Sequence, residues 1–309
     1  MNPDFWWAKR ASCAKALMAE SFRQGMGRPE GVERRLAAAL GDLLARPGSL
    51  TRAVAAYLVG IEMGVPEAQA RAMACGIEYL HTASLVFDDL PAMDDAVTRR
   101  SMPALHVLHG EGTAMLAALA MINRGYLLLW QGMNGASLAR RERAGEWVDR
   151  CLGTVGMIGG QSHDLGDWQG GQSAADVSEV AARKTGDLLR LTLVLPAMIG
   201  RASERELQLL DRLALLRGLA YQAADDVKDV VGGAGKTAGR DEALGRPNLV
   251  MAEGFAAAVV RLERLVVVGD RVQAALPGPA ERWGMLVPLR IEIPEGVAAL
   301  LSEGDTAAG

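Results

Sequence analysis

The amino-acid sequence predicts an all-α fold, in which the helices of a single domain pack around a central cavity. Apolar residues recur at spacings of three and four along most of the 309-residue chain, which is typical of helices with one buried face. No turn dipeptide separates runs of alternating polarity, so β-hairpins are not expected. No repeat, linker or change in composition marks a boundary. We therefore expect one domain over residues 1–309, with a frayed tail at residues 302–309.

Ten predicted helices account for most of the chain, and some of them have recognisable ends. They lie near residues 5–24, 30–45, 51–63, 67–89, 112–130, 139–158, 174–195, 204–231, 249–273 and 279–301. Pro66 suits the start of the fourth helix, because the missing N–H of proline is not needed there. Ser203 with Glu206 forms a capping pattern for the eighth helix, and Gly232–Gly233 is a natural stop after it.

Length, composition and charge limit the classes of function. Half of the residues are hydrophobic and 23% are charged, which is a globular composition. A net charge of −4 without an evident basic face argues against nucleic acid as the main partner. Three widely spaced cysteines and a polar N-terminus predict a reduced, cytoplasmic location. The most apolar stretch, Met115–Trp130, is short and contains Arg124, so we expect a buried core helix there and no transmembrane segment.

The fourth predicted helix runs into an acidic segment, residues 88–95, with the sequence DDLPAMDD. Pro91 cannot continue the helical hydrogen bonding, and the residue before a proline resists the α conformation. The helix is therefore expected to stop at about Asp89. Asp94 and Asp95 follow in a turn that can fold back over the helix end.

A second acidic helix end occurs later in the chain. Asp225, Asp226 and Asp229 lie in the last turns of the eighth helix, before Gly232–Gly233. Asp225 and Asp229 are four residues apart and so share one face of the helix.

Two acidic clusters at helix ends indicate bound cations. A helix C-terminus carries roughly half a negative charge, so each carboxylate there costs about 0.3–1 kcal/mol. Neighbouring carboxylates also repel one another. Hard oxygen ligands select Mg²⁺ or Ca²⁺, and Mg²⁺ is usually completed by substrate phosphates. A diphosphate is therefore the natural third component. Basic side chains that could meet it are Arg99, Arg100, Lys184, Lys236 and Arg246.

Five segments resemble the motifs of the trans-isoprenyl diphosphate synthases, the polyprenyl synthetase family, and they occur along the chain in the family's order. The segment HTASLVFDDLPAMDD at residues 81–95, followed by Arg99–Arg100, is similar to their first aspartate-rich motif, with the DDxxxxD spacing of bacterial farnesyl and geranylgeranyl diphosphate synthases. YQAADDVKD at residues 221–229 resembles the second. GGQSHD at 159–164, KTG at 184–186 and GKTAGRD at 235–241 resemble the motifs between and after them. Each is common alone, but together they are highly specific.

The resemblance implies a Mg²⁺-dependent enzyme with an isoprenoid synthase-type helical bundle, usually dimeric, so we expect a homodimer. The implied catalytic residues are Asp88, Asp89, Asp94, Asp225, Asp226, Asp229, Lys184, Thr185 and Gln161, and the metal ligands among them are Asp88, Asp94 and Asp225. The implied substrate-binding residues are Arg52, His81, Arg99, Arg100, Lys184, Lys236 and Gln222. Of these, Arg99, Lys184 and Lys236 would hold the allylic diphosphate, and Arg52, His81 and Arg100 would hold isopentenyl diphosphate.

The chain departs from the family at its isopentenyl diphosphate motif. In place of the family's Gly-Gly-Lys-Arg-x-Arg-Pro it has Pro47–Ala53, so Ser49 replaces the lysine, Leu50 replaces an arginine, and Arg52 is retained. This loss leaves two alternatives to a chain-elongating transferase. One is a terpene synthase-like lyase that needs no isopentenyl diphosphate. The other is a non-catalytic partner subunit, which the intact aspartates argue against.

The length of the product is predicted from two small residues. In the family, bulky residues four and five positions before the first aspartate close the floor of the substrate pocket. Here these positions are Ser84 and Ala83, so the resemblance implies an open floor. We expect a C20 product, geranylgeranyl diphosphate, with the C15 product as the second choice.

Overall fold

A computed structural model describes residues 3–27, 30–166, 168, 173–231 and 246–293. The all-α prediction is confirmed, since helices and their connections make up nearly all of the described chain. The chain divides into two compact units. The first comprises residues 1–145, 192–203 and 279–288, and the second comprises residues 146–191, 204–278 and 289–309. The assignment of residues 1–309 to one domain stays a prediction.

The elements follow one another in this order. The first part of the chain forms α1 (Pro3–Gln24), α2 (Arg34–Ala45), α3 (Thr51–Glu62), α4 (Glu67–Asp88), β1 (Thr98–Arg99), β2 (Met102–Pro103), α5 (Leu105–His109), α6 (Glu111–Gly132) and α7 (Leu138–Leu152). It is followed by α8 (Met157–Asp164), α9 (Ala174–Ala181), a π-helical turn (Ala182–Gly186), α10 (Asp187–Ile199), α11 (Glu204–Val231), α12 (Leu249–Glu253), α13 (Phe255–Ala274) and a 3₁₀ segment (Ala280–Leu289).

In the first unit, α4 packs against α6 almost backbone to backbone. A Cβ atom at Gly76 would lie 2.8 Å from the carbonyl oxygen of Gly125, and one at Gly125 would lie 3.2 Å from the carbonyl oxygen of Gly76. Real Cβ atoms essentially never approach another atom as closely as 2.8 Å, and 3.2 Å is tighter than most of their contacts, so glycines suit this approach. Side chains along most of α4, including Met73, Ile77 and Tyr79, are fully buried around the crossing. The end of α4 is therefore held by a rigid, close-packed core.

Only one face of α6 is buried, which corrects the expectation of a buried core helix. Ala117, Ala118 and Met121 lie in the core, but Leu119 is 52% exposed and Trp130 is 58% exposed. By length and composition α6 is the one helix among the described residues that could cross a membrane, and 39% of its apolar window is buried inside the protein.

In the second unit, α11 packs on α13 and on the π-helical turn. Apolar side chains of α11 and α13, such as Val227 and Leu262, form one buried cluster. At the crossing with the π-helical turn, a Cβ atom at Gly218 would lie 2.6 Å from the Cα atom of Gly186. These two glycines let α11 approach the turn that carries Lys184 and Thr185.

The structure differs from the prediction in one hairpin and in several helix boundaries. The hairpin β1–β2 was not expected; it pairs Thr98 with Pro103 and Arg99 with Met102. The sixth predicted helix ends at Leu152, and the segment from Met157 forms the separate helix α8. Gly254, with φ at +87°, divides the predicted helix 249–273 into α12 and α13. The last predicted helix is a 3₁₀ segment, and residues 294–309, with the expected tail, lie outside the described part of the chain.

Candidate active site

The first aspartate-rich segment folds back over the end of α4, as the sequence predicts. The helix ends at Asp88 and is capped by Asp89. The backbone N–H of Asp94 then donates to the carbonyl oxygen of Asp88 over 2.9 Å, and the N–H of Ala96 donates to the carbonyl oxygen of Asp89 over 3.1 Å. These bonds satisfy carbonyls that a helix C-terminus leaves open. They bring Asp88 and Asp94 together although six positions separate them in the sequence.

Asp89 is buried and paired with Arg99. The Nε atom of Arg99 lies 2.7 and 2.8 Å from the two carboxylate oxygens of Asp89, and its Nη2 atom lies 2.6 Å from one of them. Burial acts against the charge of Arg99, yet the bonds to Asp89 and the charges of Asp88 and Asp94 raise its pKa above the usual value. Arg99 is thus within electrostatic reach of the whole acidic turn, and its assignment to the allylic diphosphate stays a prediction.

The turn of the β1–β2 hairpin positions Arg100. Arg100 and Ser101 have φ angles of +53° and +62°, a conformation that residues other than glycine and asparagine rarely adopt. The guanidinium of Arg100 packs so closely on the Cα atom of Gly48 that a Cβ atom at Gly48 would collide with it. The strained turn thereby holds Arg100 against the segment that precedes α3.

His81, whose ring accepts a hydrogen bond from Arg52, presents an unused N–H donor. The Nη1 atom of Arg52 donates to Nε2 of His81 over 3.2 Å. A guanidinium can only donate, so the ring proton of a neutral His81 lies on Nδ1. Desolvation of the ring, together with the charges of Arg52, Arg100 and Arg99, lowers the pKa of His81 well below its usual value and keeps the ring neutral. Its Nδ1 atom is buried and has no hydrogen-bond partner among the described residues.

A buried carboxyl group, Glu78, lies one helical turn before His81 on α4. Its Oε2 atom accepts a hydrogen bond from the backbone N–H of Ala53 over 3.2 Å. Burial raises the pKa of Glu78 to about 7, although Arg52, the bond from Ala53 and Arg100 lower it. Glu78 was not predicted as a site residue, yet its spacing of three from His81 places it on the same helix face.

The two predicted chain-length residues have different surroundings. Ala83 is fully buried in the core. Ser84 is half-buried, and its hydroxyl donates to the carbonyl oxygen of His81 over 2.9 Å. Their role in product length stays a prediction.

In the second unit, Lys184 lies on the π-helical turn. π-Helical turns are rare in proteins, and those that occur often lie at functional sites. The Nζ atom of Lys184 lies 2.6 Å from Oδ2 of Asp164 on α8. Arg246 donates to the carbonyl oxygen of Asp164 over 3.3 Å. Asp164 thus binds two cationic side chains. It is the last residue of the GGQSHD segment, and no role was predicted for it.

Gln222 on α11 links the π-helical turn to the second aspartate-rich segment. The hydroxyl of Thr185 lies 3.4 Å from Oε1 of Gln222, and Nε2 of Gln222 donates to Asp226 over 2.9 Å. The second oxygen of Asp226 accepts the backbone N–H of Leu249, at the start of α12, over 2.8 Å. Asp226 is fully buried, so in the structure it fastens α12 to α11.

The remaining predicted residues are placed as follows. Asp225 and Asp229 share one face of α11, where Asp225 is half-buried and Asp229 is buried. Gln161 is half-buried on α8. Lys236 and the whole segment 235–241 lie outside the described residues.

The acidic side chains fit Mg²⁺ by their donor chemistry. They offer carboxylate oxygens alone, and Asp88 and Asp94 are joined through the backbone of the turn. In the described ranges, no group of three or more His, Cys, Asp or Glu side chains could hold a metal ion. Mg²⁺ keeps several water ligands and takes phosphate oxygens from its substrates. It therefore needs only one or two carboxylates at each position of the protein.

Comparison with known proteins finds relatives of the chain among geranylgeranyl diphosphate synthases. The chain is 32% identical over 213 residues to geranylgeranyl pyrophosphate synthase 4 of Arabidopsis thaliana, which covers 65% of this chain and 56% of that protein. It is 29% identical over 249 residues to a geranylgeranyl diphosphate synthase of Pantoea ananas, covering 80% of this chain and 82% of that protein. The chain thus spans less than two thirds of the length of some of these relatives.

The fold is also known from crystal structures. An FPP/GFPP synthase from Zymomonas mobilis superposes with a TM-score of 0.79 at 21% identity, covering 92% of this chain and 98% of that chain. A geranyltransferase from Legionella pneumophila gives a TM-score of 0.81 at 20% identity, covering 94% and 98%. The profile of the polyprenyl synthetase family matches residues 33–266. The resemblance read from the sequence is therefore confirmed, and the chain belongs to the polyprenyl synthetase family.

Proposed function

We propose that the chain is a Mg²⁺-dependent trans-prenyltransferase that condenses an allylic diphosphate with isopentenyl diphosphate and releases geranylgeranyl diphosphate. The observation that carries the proposal is the unused Nδ1–H of His81. The same ring accepts a hydrogen bond from Arg52 at Nε2 and is within electrostatic reach of Arg100, in a chain of the polyprenyl synthetase family. A buried donor near cations is suited to a phosphate oxygen.

The metal would be held by Asp88, Asp94 and Asp225. When bound, Mg²⁺ stabilises the negative charge that develops on the departing diphosphate. Lys184 supplies a further positive charge for that diphosphate. It must exchange its bond with Asp164 for one with the substrate. The same charge lowers the barrier to breaking the allylic C–O bond, because it is in place before the bond breaks.

The second substrate would be held by Arg52, His81 and Arg100. With its diphosphate fixed, its double bond attacks the allylic carbon as the C–O bond breaks, forming the new C–C bond. The departing diphosphate then takes the proton that is lost. Thr185 and Gln161 present dipoles to the cationic intermediate.

One assay separates this proposal from the lyase and from a non-catalytic subunit. Purified protein is incubated with Mg²⁺ and each allylic diphosphate, with and without labelled isopentenyl diphosphate, and the products are analysed. Labelled, longer prenyl diphosphates support the transferase. Unlabelled hydrocarbon or alcohol products that form without isopentenyl diphosphate support the lyase, and no turnover supports the subunit.

The expected product length is tested at α4. We expect wild type to release the C20 product and Ala83→Phe to stop at C15, because the ring fills space that prenyl carbons would otherwise occupy. Since Ala83 is fully buried, Ser84→Phe serves as a comparison that places the same ring at a half-buried position. Chromatography after dephosphorylation gives the lengths. A wild type that stops at C10 or C15 contradicts the length prediction and leaves the enzyme class intact.

We also propose that the protein is a cytoplasmic homodimer that buries the exposed face of α6 against a second copy. That face carries Leu116, Leu119 and Trp130, which are 56%, 52% and 58% exposed. A contiguous row of large apolar side chains on a helix is typical of an interface. Leu119→Glu is expected to shift the molar mass, measured by light scattering, from dimer to monomer. Val260→Glu on α13, also at an exposed apolar position, is the matched control. A monomeric wild type would overturn the proposal.

A further inference from the structure

A cavity of about 220 Å³ in the first unit is lined by more guanidinium groups than the family motifs explain. It lies between the end of α2, α4 and the β1–β2 hairpin. Arg99 and Arg100 line it, as does Gly48, and so does a third arginine, Arg46. Arg46 caps the C-terminus of α2 and belongs to none of the motifs recognised in the sequence.

The three arginines differ in how closely other side chains of the protein bind them. Arg99 is tied to Asp89 by three close contacts. Arg100 has no hydrogen-bond or ion-pair partner in the described part of the chain. Arg46 is held weakly, since its Nη2 atom lies 4.0 Å from Oδ1 of Asp42 and both side chains are more than a third exposed. Arg46 and Arg100 both line the cavity, and both are available to an anion there.

Asp42 has a nearer partner than Arg46. Its Oδ2 atom lies 2.7 Å from Nε2 of His109 on α5, whereas Arg46 stands at 4.0 Å. An exposed ion pair at 4.0 Å contributes little binding free energy, so Asp42 leaves the charge of Arg46 available to another anion.

Positions 49 and 50, which carry cations in the family, have other roles in this chain. The hydroxyl of Ser49 accepts a hydrogen bond from Oγ1 of Thr51 over 3.0 Å. Leu50 is 1% exposed and has a φ angle of +57°, so it is part of the core. Neither residue brings a charge to the cavity, although the close packing of Arg100 on Gly48 keeps the segment within reach of the hairpin.

We infer that Arg46 replaces the missing lysine and supplies a cation to the diphosphate of isopentenyl diphosphate. This inference rests on the proposed function, because it concerns the second substrate of that reaction. It assigns Arg46 as a binding residue that works with Arg100 across the cavity. It also explains how the chain can lose the charge at position 49 and remain a chain-elongating enzyme.

A binding measurement tests the inference without turnover. Inorganic diphosphate is titrated into the purified protein by calorimetry with EDTA present, so that metal-dependent binding is suppressed. Arg46→Gln is expected to weaken binding about tenfold, the order expected for one charge-assisted contact to phosphate. Arg35→Gln removes an exposed arginine from the other end of α2 and is expected to leave the affinity within about twofold. Equal affinities of wild type and Arg46→Gln would overturn the assignment.

Kinetics then identify the substrate that uses the contact. Arg46→Gln is expected to raise KM for isopentenyl diphosphate about tenfold, with KM for the allylic substrate and kcat nearly unchanged. An equal rise in both KM values contradicts the inference. If wild type makes no elongated product, the proposed function fails, while the calorimetric result on Arg46 stands by itself.

Ser49→Lys provides a rescue. If Arg46 supplies the missing charge, Ser49→Lys lowers KM for isopentenyl diphosphate more in the Arg46→Gln background than in wild type, because the two cations serve one phosphate group and do not add independently. The same gain in both backgrounds would mean that Arg46 and position 49 act separately, and the inference would be wrong.

Discussion

Replacing Asp88 or Asp225 by alanine is expected to remove nearly all turnover and to leave the protein folded. Each change deletes a carboxylate that we assign to Mg²⁺ at the departing diphosphate. For Asp88 the fold should hold or gain stability, because a negative charge leaves the C-terminus of α4. The turn also survives, since Asp94 bonds to the backbone carbonyl at position 88.

The measurement is kcat for each variant, together with the thermal unfolding midpoint. Asp95→Asn is the matched control. Asp95 belongs to the same turn but has a φ angle of +47°, which asparagine tolerates, and it is not assigned to the metal. The control should keep at least about half of the wild-type rate. A residual kcat above about a tenth of wild type for Asp88→Ala or Asp225→Ala, which is a loss below ~1.4 kcal/mol, would reject the metal assignment.

Glu78→Gln is expected to stabilise the protein above neutral pH. Glu78 has a folded pKa raised to about 7 from an ordinary value of 4.5. Between these values the unfolded chain has already lost the proton that the folded protein retains, so stability falls as the pH rises. The full difference amounts to ~3 kcal/mol, by 1.36 kcal/mol for each pKa unit. A glutamine retains an oxygen for the N–H of Ala53 and does not ionise.

Urea unfolding of wild type and Glu78→Gln at several pH values between 4.5 and 8 tests this. The stability of the variant relative to wild type should increase steadily up to pH 7 and then level off. Glu263→Gln, at an exposed position on α13, is the control and should run parallel to wild type. A constant difference between Glu78→Gln and wild type would show that Glu78 does not change its charge over this range.

Local sequence patterns predicted the parts of the site that depend on local chemistry. Pro91 and the acidic run set the end of α4 and the returning turn, because a proline in that place leaves the chain few alternatives. The hairpin after it was missed. Its strands have two residues each, and its turn, Arg100–Ser101, lacks the asparagine or glycine that usually marks positive φ angles.

Roles that depend on distant contacts could not be predicted from local patterns. Asp226 and Asp225 are adjacent and identical, yet Asp226 bonds to the backbone of Leu249, which is far along the chain. Glu78 acquires its raised pKa from burial, although Arg52 and the N–H of Ala53, its neighbours in α3, lower it. In both cases tertiary packing determines what a carboxylate does, and no local spacing records it.

The glycine crossing between α4 and α6 has a consequence for evolution and engineering. Stabilisation by replacing helical glycines with alanine is a common strategy, since alanine restricts the unfolded chain. The replacement can be made at Gly41, Gly112 and Gly145, where an added methyl group would meet no atom within 4 Å. The replacement is unfavourable at Gly76 and Gly125, where the same methyl group would push α4 away from α6 and move Asp88 with it. Helical glycines of this chain therefore differ in mutational tolerance, and a library built on residue type alone would mix gains with losses.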